Sequence, residues 1–115
     1  MLPISHRLKG KKVFNDIFRL GKTFSNDVML MKVVSGEAGE PVRFGFAASL
    51  KFSKKAVERN KVKRWMREAV RARIKDVESG KEVVFLINPK FPKSELNSQL
   101  IRENIEKLLK QAKIL

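Results

Sequence analysis

Apolar residues recur along this chain in two rhythms. Between Lys11 and Leu20, the positions Val13, Phe14, Ile17 and Phe18 repeat at helical spacing, and they predict an amphipathic helix. Gly21 is placed to close it, since a glycine just past the last turn accepts a left-handed backbone. Val28 to Val34 and Val42 to Ala48 read as strands. In the second of these, Val42, Phe44, Phe46 and Ala48 share one face. Arg43, Gly45 and Ala47 take the other, small enough in part for another group to approach the sheet closely. Ser35 to Pro41, with two glycines and a proline, predicts a hairpin loop between the two strands.

A second helix is predicted downstream, with Ser53 as its candidate cap. At helical spacing Val62, Trp65, Met66, Ala69 and Val70 fill an arc of about 140°, which assigns Trp65 to the core. Lys63, Arg64, Arg67, Arg71 and Lys75 fill the adjoining arc. Glu82 to Ile87 predicts a strongly apolar strand ended by Asn88-Pro89. Ser94 is then placed to open a last helix whose buried stripe is Leu96, Leu100, Ile101, Ile105, Leu108, Leu109 and Ala112. The order α-β-β-α-β-α predicts an α/β protein. It would be an α+β two-layer sandwich, with helices stacked on a mostly antiparallel sheet. At 115 residues the chain can bury one core and is too short for two, so residues 1–115 are expected to form a single domain.

Charge sharpens the picture. The formal net charge is +14, and it is unevenly spread. Residues 51–75 carry eleven basic and two acidic side chains, and residues 1–24 carry six and one, while the rest of the chain is nearly balanced. An even spread would suggest solubility alone. Concentration in the two N-terminal helical regions suggests a surface for a polyanion, with nucleic acid the leading class. Lys63, Arg67 and Arg71 recur about 6 Å apart along a helix, a pitch that can follow a line of phosphates. Arginine adds bidentate phosphate recognition that lysine cannot give. A solvated helix face would interleave acids four residues away, and this one holds only Glu58 and Glu68.

Catalytic chemistry finds little support. There are no cysteines, which excludes disulfides, thiolate nucleophiles and Cys-ligated zinc. His6 is the one histidine and sits in a polar N-terminus expected to fray. Glu95, Glu103 and Glu106 alternate with basic residues as on a solvated face, so no carboxylate set is expected to converge on a metal. No catalytic residue and no protein-held metal is therefore assigned. The longest apolar run, Val83 to Ile87, is far short of a membrane span, and Met1 to His6 lacks the apolar core of a signal peptide. A cytoplasmic protein without a membrane partner is expected, and no protein partner is evident.

The run Lys54-Lys55-Ala56-Val57-Glu58-Arg59-Asn60-Lys61-Val62-Lys63-Arg64, continued by Arg67-Glu68 and Arg71, closely resembles the signature of the bacterial ribonuclease P protein subunit. Upstream, Arg7-Leu8 followed by Phe14, Phe18, Gly21 and Lys22 is similar to that family's first helix. The resemblance is specific from Arg7 to Arg71 and compatible beyond. Lys61 stands where the family's Arg-Asn-Arg triplet ends, keeping charge but not guanidinium geometry, and Leu50 stands where a lysine is common.

The resemblance implies a protein that assists a catalytic RNA in removing the 5′ leader of precursor tRNA. The RNA would perform the hydrolysis with Mg²⁺, held mainly by the RNA. Carried over, Lys54, Lys55, Arg59, Asn60, Lys61, Lys63, Arg64, Arg67 and Arg71 would bind the catalytic RNA. Phe14, Phe18, Phe46, Ser49 and Lys51 would bind the single-stranded leader, where aromatic faces stack on unpaired bases. Phe14 and Phe18 lie four apart, equally the spacing of two core residues. The family also implies a left-handed crossover between the strands flanking the basic helix, a ribosomal protein S5 domain 2-like arrangement, against the general right-handed rule. The competing reading is a ribosomal or RNA-chaperone protein with no attached reaction. A DNA reader would show polar base-reading residues on a helix pair.

Overall fold

The computed structural model describes residues 6–8, 11–36 and 38–115, the side chains of residues 11–14 excepted. The first helix, α1, runs Lys11–Leu20, the bounds that the apolar spacing predicts. Its end at Gly21 is steric rather than conformational. A Cβ at Gly21 would lie 2.6 Å from the Ile17 carbonyl oxygen and 3.3 Å from both Lys32 Cβ and the Val33 carbonyl oxygen. The expected left-handed backbone is not what demands glycine here; close packing of the chain is.

A strand that the pattern did not predict follows at once. Lys22–Ser25 forms β1, paired antiparallel with β2, Met29–Ser35. Lys22-Thr23-Phe24-Ser25 is almost wholly polar and lies at the sheet edge, so it carries no apolar alternation to read. Asn26 makes the turn: its side-chain oxygen accepts from the N–H groups of Val28 (2.9 Å) and Met29 (3.0 Å).

β3 is Arg43–Ala47 and β4 is Lys81–Ile87, and the sheet order is β1-β2-β4-β3. The hairpin expected between Val28–Val34 and Val42–Ala48 does not form, because β4 is inserted between them. It pairs antiparallel with β2 and parallel with β3. The reason is burial. Val83 to Ile87 is apolar at every position, and only a central strand with both faces covered can accommodate that. The loop from β2 to β3 is instead tied to the start of β4, with Gly36 N–H donating to the Gly80 carbonyl and Gly80 N–H to the Glu40 carbonyl, each at 2.7 Å. Gly80 has φ +75°, a conformation that favours glycine.

The basic helix α2, Ala56–Arg73, crosses from β3 to the parallel β4. The last helix, α3, is Ser98–Gln111. It opens four residues later than expected: Ser94 lies in a short single turn, and Asn97 caps the helix by accepting from Leu100 N–H at 2.8 Å. Both helices cover one sheet face. Val62, Met66, Ala69 and Val70 of α2, and Ile101, Ile105, Leu108 and Leu109 of α3, bury against Met29, Met31, Val83, Phe85 and Ile87. Phe44, Phe46 and Phe85 stack there in near-parallel planes with centroids 6.1 to 6.5 Å apart. Trp65 packs against this core but stays half-exposed.

The opposite face carries α1, as a partial third layer on the α+β sandwich. Ile17 buries with Leu8 and Val84, and Phe18 and Val34 pack at their margin. The N-terminus does not fray at His6 to Leu8. His6 Nδ1–H donates to the Val42 carbonyl (2.6 Å), Leu8 N–H donates to the Phe44 carbonyl (3.0 Å), and Arg7 bridges Phe44 in parallel.

Candidate nucleic-acid interface

The N-terminal end of α2 concentrates positive charge where a helix least favours it. Helix dipoles leave partial positive charge at the N-terminus, so cations there weaken the helix and strengthen its pull on anions. Lys54, Lys55 and Lys61 are exposed around this end, Arg59 is half-buried, and Glu58 is the one acid of the first turn. The helix is held by its neighbours rather than by a cap. Lys55 occupies the capping position with no side-chain hydrogen bond. Ser53, expected there, lies two residues earlier and is buried. Its Oγ accepts from Lys55 N–H (3.1 Å) and donates to the Glu58 carboxylate. The Arg59 guanidinium donates to the Ser53 carbonyl (2.9 Å), and Lys93, beyond β4, reaches Glu58 at 3.3 Å. The Ser53 hydrogen bond, aided by that of Lys93, holds the Glu58 carboxyl below its ordinary value. Arg59 is thus partly committed to the fold, whereas Asn60 is exposed.

Further along the helix, Arg64 and Arg71 are exposed, and Lys63 and Arg67 are half-buried. Lys61 sets its ammonium 5.0 Å above the Trp65 ring, which holds that cation at the surface. Arg7, brought alongside β3 by its bridge to Phe44, joins Arg64, Arg67 and Glu68 around one hollow and Lys63 and Arg67 around a second. The sequence pattern alone assigns Arg7 no role. Its distance in sequence from α2 hides the contact, and only the pairing of residues 6–8 with β3 creates it.

The residues expected to bind the leader are divided by the sheet. Phe18 stands half-buried on the α1 face. The side chain of Phe14 lies outside the described residues. Phe46 faces the other way, stacked on Phe44 and Phe85 beneath α2, so the sheet separates it from Phe18. Alternation correctly put Phe44 and Phe46 on one face but could not say which helices cover it. Ser49 and Lys51 belong to the connection into α2. Ser49 is half-buried with its Oγ accepting from Phe52 N–H (3.3 Å), and Lys51 is exposed.

The α1 face offers lining residues that the sequence did not single out. Leu30 pairs with Leu86, and Leu86 with Ala47, making a half-exposed row across three strands beyond the part that Ile17 and Phe18 cover. A hollow of about 250 Å³ opens at its end beside Ser25, Asn88 and Pro89. Apolar, shallow and bordered by α1, the row suits bases of an unpaired strand.

Among the described residues no three His, Asp or Glu side chains come together as metal ligands. No helix of the described residues is long and apolar enough to cross a membrane.

The arrangement has counterparts of known kind. A family model described as Ribonuclease P matches residues 2–113. The ribonuclease P protein component of Symbiobacterium thermophilum is 33% identical, over 96% of this chain and 94% of that protein. Among solved structures, the RNase P protein from Thermotoga maritima in complex with 1-(4-fluorophenyl)-2-thiourea superposes with a TM-score of 0.81 at 30% identity, covering 91% of this chain and 98% of that one. The Staphylococcus aureus RNase P protein shares the fold, with a TM-score of 0.77 at 24% identity over 95% of this chain and 96% of the other. With the model matched from residue 2 to residue 113 and the sheet order, basic helix and α1 all falling inside that span, the chain belongs to the ribonuclease P protein family.

Proposed function

We propose that this chain is the protein subunit of a ribonuclease P. In this role it binds a catalytic RNA and the 5′ leader of precursor tRNA while the RNA performs the cleavage. The observation that carries the reading is the cationic face running from Lys54 to Arg71, which is nearly free of acids and whose N-terminal lysines Lys54 and Lys55 run against the helix dipole. A surface that weakens its own helix to gather positive charge is explained by an anionic partner. Folded RNA presents phosphates and shape rather than readable base edges, which suits a face rich in Lys and Arg. The leader lies on the opposite sheet face, against Phe18 and the Leu30–Leu86–Ala47 row, where stacking tolerates any base. Two RNA elements are thereby held by two sides of one sheet.

Mg²⁺ is assigned to the RNA, whose phosphates supply the oxygen ligands that this ion prefers. The protein's own part is electrostatic. Precursor tRNA and catalytic RNA repel one another, and a bound protein of charge +14 neutralises part of that repulsion. The reading places the complex in the cytoplasm, where precursor tRNA is made. Its test is a Mg²⁺ titration of leader removal with and without the protein. The protein should lower the Mg²⁺ requirement, with the benefit shrinking as the ion is raised, and should cleave nothing alone. Superimposable curves, or cleavage by the isolated protein, would overturn it.

A further inference from the structure

Two hollows meet between α2 and the outer edge of β3, and they differ in kind. The larger, about 470 Å³, is lined by Arg7, Arg64, Arg67 and Glu68. The smaller, about 210 Å³, is lined by Arg7, Leu8, Phe44, Gly45, Phe46, Lys63 and Arg67. Arg7 and Arg67 stand on the wall shared by both. One lobe therefore gathers three guanidinium groups around a single carboxylate, Glu68, and the other has a floor of strand backbone and a half-exposed phenyl ring under a cationic rim.

The sheet edge gives the smaller lobe hydrogen-bonding character. His6 donates to the Val42 carbonyl and Leu8 to the Phe44 carbonyl, which shows that the backbone groups of these residues point outward from the sheet. Strand alternation turns the N–H and C=O of Phe46, next in that row, toward the same side. A planar group entering the lobe would meet an aromatic ring, a peptide edge and the stem of Lys63. An anion attached to it would fall between Arg7, Arg64 and Arg67. Planar heterocycle joined to phosphate is the chemistry of a nucleotide. Proteins that read RNA take bases splayed from the stack, because paired bases in an A-form helix hide their edges.

We infer that this paired hollow seats one unpaired nucleotide of a bound RNA, its base in the smaller lobe against Phe46 and its phosphate among Arg7, Arg64 and Arg67 in the larger. The site opens at the outer edge of β3 beneath α2, with Leu8 of the α1-side cluster at its margin, and shares no residue with Phe18 or the Leu30–Leu86–Ala47 row of the leader face. It rests on the reading of α2 as an RNA-binding face, and it adds a demand which charge alone does not make. The RNA must offer a flipped-out base at this point.

The test uses the full-length protein and three hairpin RNAs differing at one position: fully paired, bulged by a single 2-aminopurine nucleotide, and bulged by an abasic nucleotide. The 2-aminopurine bulge should bind about tenfold tighter than the other two, the effect of one base gaining a stacking partner. Its fluorescence should fall on binding. Phe46→Leu should remove the preference for the base. Arg7→Met should weaken all three RNAs alike and reduce the salt slope by about one, as the loss of one phosphate contact requires. Equal affinity for the three hairpins with unchanged fluorescence would overturn the inference, whatever the folding of either variant. That result together with tight binding of ribonuclease P RNA would leave the proposed function standing. Failure to bind ribonuclease P RNA would instead remove that function, while the hairpin comparison would still decide the nucleotide site.

Discussion

Replacing Gly21 by alanine tests whether the seat of α1 governs the leader face. The added Cβ would stand 2.6 Å from the Ile17 carbonyl oxygen, where ordinary contact begins at 3.4 Å, so about 0.8 Å of separation must be found. A flexible side chain could yield that much cheaply. Here two of the three nearest atoms are backbone oxygens, one closing α1 and the other in β2, and the third is Lys32 Cβ. Either the helix end or the strand has to move. Forced overpacking of this kind costs about 1–3 kcal/mol, and alanine recovers about 0.4–1 kcal/mol by restricting the unfolded chain. The net loss should lower Tm by roughly 4 °C for each remaining kcal/mol in a domain of this size. The second readout is binding. Because Ile17 and Phe18 pack through this end of the helix onto Val84 and Val34, Gly21→Ala should reduce the preference for precursor over mature tRNA while leaving catalytic-RNA affinity nearly intact. Calorimetry gives the first quantity, and competition binding of the two tRNAs gives the second. Wild-type melting would show that the close approach is not constraining. A lowered Tm with full leader preference would show that the position of α1 does not matter to the leader.

Changing Lys63, Arg67 or Arg71 to alanine should weaken catalytic-RNA binding, each lost phosphate contact lowering the slope of log affinity against log salt by about one. An unchanged slope in all three would refute the phosphate-tracking face. Phe18→Leu keeps most of the apolar volume at a half-buried site and should cost less than about 1.5 kcal/mol of stability. Leader binding should weaken by about 1–3 kcal/mol if its ring stacks on a base, and a large stability loss with normal binding would make it a core residue. Glu58 has its pKa lowered by Ser53 and Lys93, so its contribution to stability is complete above the ordinary value of 4.5 and disappears as pH falls through the depressed one. Melting curves of Glu58→Gln should lie below wild type at neutral pH and converge with it in acid; parallel curves would contradict the assignment.

Much of this molecule is legible in its sequence, and what is not follows from a few physical causes. Helical periodicity locates α1 to the residue and most of the buried stripes of α2 and α3, because a helix records its one packing face every three or four positions, although Leu96 lies before α3 and Trp65 stays half-exposed. Strand pattern is poorer in information. It shows that Phe44 and Phe46 share a face, but not that β4 separates β3 from β2 or that α2 covers that face. The edge strand β1 was invisible because polar residues at an edge leave no alternation. Capping is not legible at either helix: Ser53 serves Glu58 and Arg59 from two residues before the cap position, and Asn97 displaces Ser94. The basic residues of the interface were readable from charge and spacing, while their meeting with Arg7 was not. That contact depends on three residues of the N-terminus lying against β3.

The central position of β4 has a consequence for how the molecule comes into being. During synthesis, β1, β2, β3 and all of α2 emerge before residues 81–87, yet β2 and β3 flank a slot that only those residues fill. Until then β3 has no strand partner on that side and the apolar face of α2 has no completed floor. Such a chain pays loop-closure entropy early and gains its non-local contacts late, which delays folding until β4 is available. The nascent protein therefore carries its full cationic helix into the cell before the sheet can hold it. RNA-binding charge precedes RNA-binding shape, and a chain cut short before β4 would be a sticky polycation rather than a weaker version of the same protein.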